Sequence, residues 1–413
     1  MLVLVEGSNF DARGSNRRVP RVARLSEKRD PPQLGKAPPS YTYKQINPDP
    51  SQDYIRLLRP FRDSHGRLCG ELRTFPVSQC PTFIAVSYTW EPVNPVQQII
   101  ISGQILDIGR NIFQALDTYT SYDTLRSLDT FIENESSLSS AERRQFMLNP
   151  ERWTYFWIDS ICIDQSNVRE RNHQIKMMKS IYTRAAFTLA WLGDEVENSN
   201  STSLGARPLM EVMNLPGKEW RRISKDVRNR RYRTRLWIVQ EVVLAKDILI
   251  CCGKDHICWS DPAWLHISNS ATGFVPKTHA PKAKGSQQLF QLFKQKSIIS
   301  LHDMRRNQDK LEDLEVLILK FIDQECHDPR DKIYGLLSLA NCRGSRDIEV
   351  DYTKTNKQVY DEVMEIVWDS TSLTLPWKRQ HFARKLLNGV NLNHLVSETL
   401  EDPRFSSYPR YFT

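Results

Sequence analysis

Residues 154–165 read TYFWIDSICIDQ and combine the pattern of a buried strand with two carboxylates. Most residues from Tyr155 to Ile161 are β-branched or aromatic, which predicts a strand buried on both faces, as in a parallel sheet. An unpaired carboxylate inside such a strand would be costly. Because ligand crevices of open α/β sheets lie at the carboxyl ends of the strands, Asp159 and Asp164 are expected near that end.

The segments around this strand alternate between strand and helix patterns. Predicted strands cover residues 82–88, 187–193 and 247–253, a hairpin over 97–108 turns at Ser102 and Gly103, and predicted helices cover 110–119, 168–185 and 235–246. Asn167 and Glu170 are spaced like a capping box at the start of the second helix. Strand, helix and strand joined by short connections predict right-handed βαβ units. The fold class is therefore α/β, with a parallel sheet covered by helices on both faces.

Composition changes along the chain predict four parts. Residues 1–50 contain seven of the 22 prolines and scattered arginines without an apolar period, which indicates a flexible tail. Residues 51–270 form the α/β domain, with a polar surface insertion at about 124–153. Residues 271–300 are a linker or long loop, and residues 301–413 are a helical C-terminal extension. Within the extension, helices are predicted over 312–322, 328–340 and 359–368, the second with Asp328 as N-cap and Pro329 at its first position.

The overall composition limits the class of protein. The 413 residues are 40% hydrophobic and carry a net charge of +8, which permits an anionic partner without requiring one. No apolar run approaches the roughly 20 residues of a membrane span, and the first residues do not have the form of a signal peptide. Eight scattered cysteines, several of them in apolar runs, are typical of reduced core thiols. We therefore expect a soluble, cytoplasmic protein.

Several kinds of site are not supported by the sequence. Neither GxGxxG nor GxxxxGK[ST] occurs, and no Ser-His-Asp order can be assembled. Cys252, His256 and Cys258 have a spacing that invites a zinc interpretation, but no second ligand pair follows, so no metal is expected. Nine basic residues lie between Lys218 and Arg235, yet aromatic residues are sparse there, so specific nucleic-acid recognition is not predicted.

A series of sequence blocks occurs along the chain. In order they are IRLL (55–58), FIAVSYTW (83–90), FWIDSICIDQ (156–165), ERNHQIKMMKSIYTRA (170–185), AWLG (190–193), RLWIVQEVVLA (235–245), CGKDHICW (252–259), DPRDKIYGLLSLA (328–340) and VDYT (350–353). This ordered set resembles the fungal heterokaryon-incompatibility domain, or HET domain. The resemblance spans about residues 55–353, and the ordered set is more specific than any single motif. It implies non-self recognition, an innate-immune type of response, and programmed cell death in fungi.

The resemblance also implies a distant likeness to TIR domains, which have a flavodoxin-like α/β fold. Some TIR domains assemble in signalling and some cleave NAD with a glutamate that follows a tryptophan on a helix. The counterparts here would be Trp237 and Glu241, and SYTW would lie at the Ser-aromatic pair of the first TIR strand. The resemblance thus implies self-association or a cell-death signalling partner, no bound cofactor, and NAD as a possible substrate.

The candidate site residues have structural as well as functional interpretations. Glu241 is the candidate catalytic carboxylate, which would stabilise an oxocarbenium-like transition state; alternatively it pairs with Arg235 or Lys246. Asp159 would bind ribose hydroxyls, or would be a buried partner of an arginine such as Arg235. The complete set of candidate substrate-binding residues is Ser87, Tyr88, Trp90, Asp159, Asp164, Gln165, Arg235 and Trp237.

Two functions from different classes therefore remain open at this level. In the first, the protein is a signalling scaffold in fungal incompatibility, and its acidic and aromatic motifs are structural. In the second, it is a NAD glycohydrolase that uses Glu241, and toxicity follows from loss of NAD. The first is favoured, and whether the chain is an enzyme is left open.

Overall fold

The order of strands in one mixed sheet defines the architecture of the chain, which we describe from a computed structural model. The structure describes residues 38–46, 51–91, 96–135, 139–149, 152–193, 230–253, 255–259, 297–307, 312–341, 348–368, 373 and 375–396. Most of the predicted tail and linker, and the basic residues 218–229, lie outside these ranges. The segment Pro39–Thr413 forms one compact unit.

Within the described ranges the sheet has nine strands in the order β5-β4-β2-β1-β6-β3-β7-β8-β9. The strands are β1 (Tyr54–Arg62), β2 (Leu68–Pro76), β3 (Ile84–Tyr88), β4 (Gln97–Ile101), β5 (Gln104–Ile108), β6 (Phe156–Trp157), β7 (Phe187–Trp191), β8 (Ile248–Cys252) and β9 (Asp255–Cys258). The four central strands β6, β3, β7 and β8 run parallel, whereas β1 and β9 flank them antiparallel. The predicted α/β class with a parallel centre is confirmed, and the sheet as a whole is mixed.

The described helices cover twelve segments in addition to short 3-10 turns. They are α1 (Arg110–Tyr119), α2 (Tyr122–Glu135), α3 (Ser140–Leu148), α4 (Asp159–Cys162), α5 (Val168–Lys176), α6 (Met178–Arg184), α7 (Ile238–Val243), α8 (Ser297–Arg306), α9 (Leu314–Phe321), α10 (Asp331–Tyr334), α11 (Asn356–Trp368) and α12 (Pro376–Gly389). None of the described helices has the length and apolarity that crossing a membrane requires.

The predicted hairpin over residues 97–108 is confirmed. Ser102 and Gly103 both have positive φ, 49° and 81°, as a two-residue turn of type I′ requires. The helix predicted over 110–119 follows directly as α1, and its Ile112, Leu116 and Tyr119 are buried. Turn chemistry and hydrophobic spacing are local signals, so the sequence alone locates both elements.

The long strand predicted from Tyr155 to Ile161 is wrong. Strand β6 ends at Trp157, and the chain then enters the single turn of α4, in which Cys162 N–H donates to the Ile158 carbonyl at 2.7 Å. Ile158 and Ile161 are completely buried in this helical turn, as they would be in a buried strand. A short buried apolar run therefore does not distinguish strand from helix. Asp159 therefore begins a helix immediately after the carboxyl end of β6, and does not lie inside a strand.

Two helices are shorter than predicted. Only Ile238–Val243 of the helix predicted over 235–246 is α-helical, and a 3-10 turn over Arg231–Thr234 precedes it. The helix predicted over 328–340 is divided into α10 and a 3-10 turn, Leu337–Leu339, so a continuous helix there is wrong. Tertiary packing has overridden helix propensity in both segments, which are surrounded by buried side chains.

Helix α7 lies in a core that the C-terminal helices complete. Val239 and Val242 belong to a buried cluster together with Phe321 and Ile333 from the region after residue 300. A second buried cluster includes Trp157, Tyr182 and side chains from the strands β1 to β8. The helix that carries Glu241 is therefore packed between the sheet and the C-terminal segments.

Candidate acidic site at the carboxyl ends of β3 and β6

Four elements bring polar side chains together at one end of the parallel strands. Strand β3 ends with Ser87 and Tyr88, and α4 begins with Asp159 directly after β6. Helix α7 contributes Glu241, and Arg235 lies in the short segment before that helix. Carboxyl ends of parallel strands meet at one edge of the sheet, which explains why residues so far apart in sequence converge.

Glu241 is the centre of this group and is only 1% exposed. Arg235 Nη1 lies 3.2 Å from Glu241 Oε2, and Nη2 lies 3.3 Å from Oε1, so the guanidinium spans both oxygens. Ser87 Oγ donates a hydrogen bond to Oε2, and it also lies 2.7 Å from the Tyr232 hydroxyl. Of the two interpretations of Glu241, its pairing with Arg235 is thus present in the structure.

Asp159 occupies the more accessible side of the group. Its two carboxylate oxygens accept from Trp90 Nε1 at 3.1 and 3.0 Å, and Oδ1 also accepts from Ser160 N at 2.7 Å. Trp90 is 45% exposed, whereas Asp159 is half-buried. Among the described residues no ion pair joins Asp159 to Arg235, because that guanidinium is taken by Glu241.

Burial and neighbouring charges shift the pKa of two groups in this site, Asp159 and Arg235. Burial, followed by the negative charge of Glu241, raises the pKa of Asp159 to about 6 despite the opposing effect of Arg235. Burial alone would lower the pKa of Arg235, but Glu241 and Asp159 raise it, so this side chain remains cationic. The site therefore contains a fixed cation and an acid that titrates close to neutral pH.

Tyrosine hydroxyls complete the polar lining. Tyr88 donates to Ser160 Oγ at 2.5 Å, and Tyr232 lies beside Ser87. Burial raises the pKa of Tyr88, Tyr182 and Tyr232, and the nearest carboxylate raises it further. These phenols consequently stay protonated and can donate hydrogen bonds.

Three of the predicted site residues have other roles. The Asp164 carboxylate accepts from Ser166 N at 3.1 Å and Oγ at 2.6 Å, and so closes its own turn. Gln165 supports α4 by donating to the Asp159 carbonyl at 3.0 Å. Trp237 donates through Nε1 to Asp331 Oδ2 at 3.0 Å, and its indole N–H is not directed at the Glu241 carboxylate.

Three residues that the sequence did not indicate also belong to the group. Tyr182 and Ser160 lie within the quoted blocks but were not candidate site residues, and Tyr232 lay within a basic segment. For Tyr182 and Ser160 no signal in a single sequence distinguishes a site residue from a packing residue. Tyr232 carries a weak signal, since it is the only aromatic side chain in the arginine-rich segment 230–235.

The donor set fits a sugar better than a metal ion. Within the described ranges, no cluster of three or more His, Cys, Asp or Glu side chains is arranged to hold a metal. The β8–β9 hairpin pairs Cys251 with His256 across two strands. Carboxylates and hydroxyls suit the hydroxyl groups of a ribose, and an exposed indole suits stacking on a base.

Comparison with known proteins supports the resemblance to the HET domain. Residues 136–241 match the family model described as heterokaryon incompatibility protein (HET). Heterokaryon incompatibility protein 6, OR allele, from Neurospora crassa is 24% identical over 385 residues, which cover 79% of this chain and 53% of that protein. The chain thus spans about half the length of this curated relative, and no solved structure was found to match it. Together with the ordered blocks, these matches show that the chain resembles heterokaryon incompatibility proteins and that its residues 136–241 match the HET domain model.

Proposed function

We propose that the chain acts in fungal heterokaryon incompatibility and signals programmed cell death from the cytoplasm. The match of residues 136–241 to the HET family model supports this role, as does the name of the Neurospora crassa relative. The observation that supports a signalling role without catalysis is the environment of Glu241. This residue is 1% exposed, and its carboxylate is bonded to both Arg235 and Ser87. A carboxylate with both oxygens occupied suits a structural pair that fixes α7 on the sheet.

In this signalling form the protein acts by self-association or by binding a cell-death partner. Buried acid and arginine groups then keep the α/β core rigid, and the surface transmits the signal. A buried pair is expensive to break, because removing one partner leaves an uncompensated charge. The Glu241 network would therefore stabilise the fold and take no part in chemistry.

A NAD glycohydrolase is the second candidate, and one observation favours it. Asp159, Glu241 and Arg235 converge beside the exposed Trp90, and the pKa of Asp159 is raised to about 6, as is common where carboxylates serve chemistry. The distant TIR likeness points in the same direction. An incoming pyrophosphate would compete for Arg235 and free Glu241 to hold a ribose hydroxyl. Nicotinamide leaves as a neutral base, so one carboxylate suffices to stabilise the oxocarbenium-like transition state.

Expression of the wild type and of Glu241→Gln in a fungal host tests both forms. Cellular NAD and growth are followed together, and folding is checked by thermal unfolding. Glu170→Gln is the matched control, since Glu170 is also buried and paired with an arginine, Arg56, at a different place. Loss of NAD with the wild type and the control, but not with Glu241→Gln, would establish the enzyme.

Signalling predicts that killing occurs while NAD stays constant, and that folded Glu241→Gln still kills. It also predicts that killing requires assembly, which light scattering measures on the purified protein. A toxic protein that stays strictly monomeric under killing conditions would contradict the scaffold.

A further inference from the structure

The helix that carries Glu241 is anchored mainly by residues after position 300. Leu236 N donates to the Glu325 carbonyl at 2.8 Å just before α7 begins. Gln240 Nε2 donates to the Tyr334 carbonyl at 3.3 Å, and Arg305 donates to backbone carbonyls at the end of the helix. A six-residue helix is not stable alone, so these contacts determine where Glu241 lies.

The most specific of these anchors is the carboxylate of Asp331. Its Oδ2 accepts from Trp237 Nε1 at 3.0 Å, and its Oδ1 accepts from the Tyr352 hydroxyl at 2.6 Å. Asp331 is 6% exposed, and burial raises its pKa to about 6. Both oxygens thus have a defined donor, one from the α/β part of the chain and one from the VDYT block.

Trp237 and Glu241 are separated by one helical turn. Glu241 N donates to the Trp237 carbonyl at 3.2 Å, so the backbone of one residue fixes that of the other. A displaced indole at position 237 would therefore move the Glu241 carboxylate relative to Arg235 and Ser87. Hydrogen bonds to a buried carboxylate are strong enough to set such a position.

We propose that Asp331 is a positioning residue for the Glu241 site, which it controls through Trp237. The inference rests on the proposed role of that site and extends the functional unit to residues 325–352. The region matched by the family model ends at residue 241, before any of these anchors. A HET segment truncated shortly after residue 241 would then lack the contacts that hold its own carboxylate.

The test uses the full chain and a signal that does not depend on activity. The indole N–H of Trp90 contacts Asp159, so its nuclear magnetic resonance signal reports the ionisation of Asp159 as the pH changes. Because the charge of Glu241 raises the pKa of Asp159, the midpoint of this titration reports where Glu241 lies. Arg235 and Tyr88 also face Asp159, and both keep their charge state across this range. The signal of the Trp90 indole N–H is identified by its absence from the spectrum of Trp90→Phe.

Four variants are compared with the wild type. Glu241→Gln removes the charge and should move the midpoint to lower pH. Trp237→Phe and Asp331→Asn alter the anchor and should move it in the same direction. Trp377→Phe makes the same substitution as Trp237→Phe at a tryptophan that is 61% exposed, and should leave the midpoint unchanged. If Trp237→Phe does not fold, Tyr352→Phe removes the other donor and retains both rings.

The proposal is overturned if the anchor variants keep the wild-type midpoint while Glu241→Gln moves it. It is also overturned if Glu241→Gln leaves the midpoint in place, since Glu241 would then not lie beside Asp159. A shifted midpoint in a protein that neither kills nor consumes NAD would retain the positioning role and refute the proposed function.

Discussion

Replacing Asp159 with asparagine should stabilise the protein at neutral and alkaline pH. The structure gives Asp159 three hydrogen-bond contacts, yet burial and the charge of Glu241 raise its pKa from 3.8 to about 6. The folded protein therefore holds this proton more tightly than the unfolded chain does. Ionising Asp159 consequently lowers the free energy of unfolding.

The magnitude follows from the size of this rise. Each pKa unit corresponds to about 1.4 kcal/mol, so ionised Asp159 costs the folded state about 3 kcal/mol. The cost is absent below the unfolded pKa, near 4, and is complete above the folded pKa of about 6. Asparagine does not ionise, so the stability of Asp159→Asn relative to the wild type should increase by about 3 kcal/mol between pH 4 and pH 8.

Urea unfolding followed by far-ultraviolet circular dichroism measures this difference. Urea is preferable to guanidinium chloride because it is uncharged and leaves the ionic strength constant as its concentration is varied. Tryptophan emission is unsuitable, since Trp90 donates directly to Asp159 and would respond to the substitution itself. Asp331 also has a raised pKa, but it is present in both proteins and cancels in the comparison.

Asp351→Asn provides a control of opposite sign. Hydrogen bonds from Thr353 lower the pKa of Asp351, so its contribution to stability is present at neutral pH and is lost on acidification. That variant should therefore lose stability relative to the wild type as the pH rises. The reasoning is refuted if the difference between Asp159→Asn and the wild type stays constant from pH 4 to pH 8.

Two further predictions concern packing away from the site. Arg56→Met leaves Glu170 charged and buried without its ion pair and should lower the free energy of unfolding in urea by about 3–5 kcal/mol. Adding Glu170→Gln should recover part of this loss, and a loss below about 1 kcal/mol in Arg56→Met would contradict the pairing. Gly389→Ala would place a methyl group 2.8 Å from Ile322 Cγ1 and should cost about 1–3 kcal/mol. Ile322→Val should recover part of that loss in thermal unfolding, and an unchanged Gly389→Ala protein would contradict this packing.

Prediction from sequence succeeded where the signal is local. The hairpin turn at Ser102 and Gly103 depends on the conformations of two residues, and Asn167 caps α5 by accepting from Glu170 N at 3.2 Å. The capping box itself does not close, because the Glu170 carboxylate bonds Arg56 instead. A partner from another strand has therefore replaced the local one.

The candidate site was only partly predictable for the same reason. The strand pattern indicated where Ser87 and Asp159 would lie, since carboxyl ends of parallel strands share an edge. It did not reveal that Trp237 turns to Asp331, or that Asp164 closes its own turn. The sequence pattern does not indicate which polar group each of these side chains contacts.

The sequence by itself determined the α/β class, the positions of most buried strands and the hairpin turn, because runs of β-branched and aromatic residues and turn chemistry act over a few neighbouring positions. Only the tertiary structure decided that Ser87 meets Glu241 across 154 positions and that Arg235 pairs with Glu241 and not with Asp159. The reason is physical: charge pairing in a buried site depends on distances between elements, and packing of the whole chain fixes those distances.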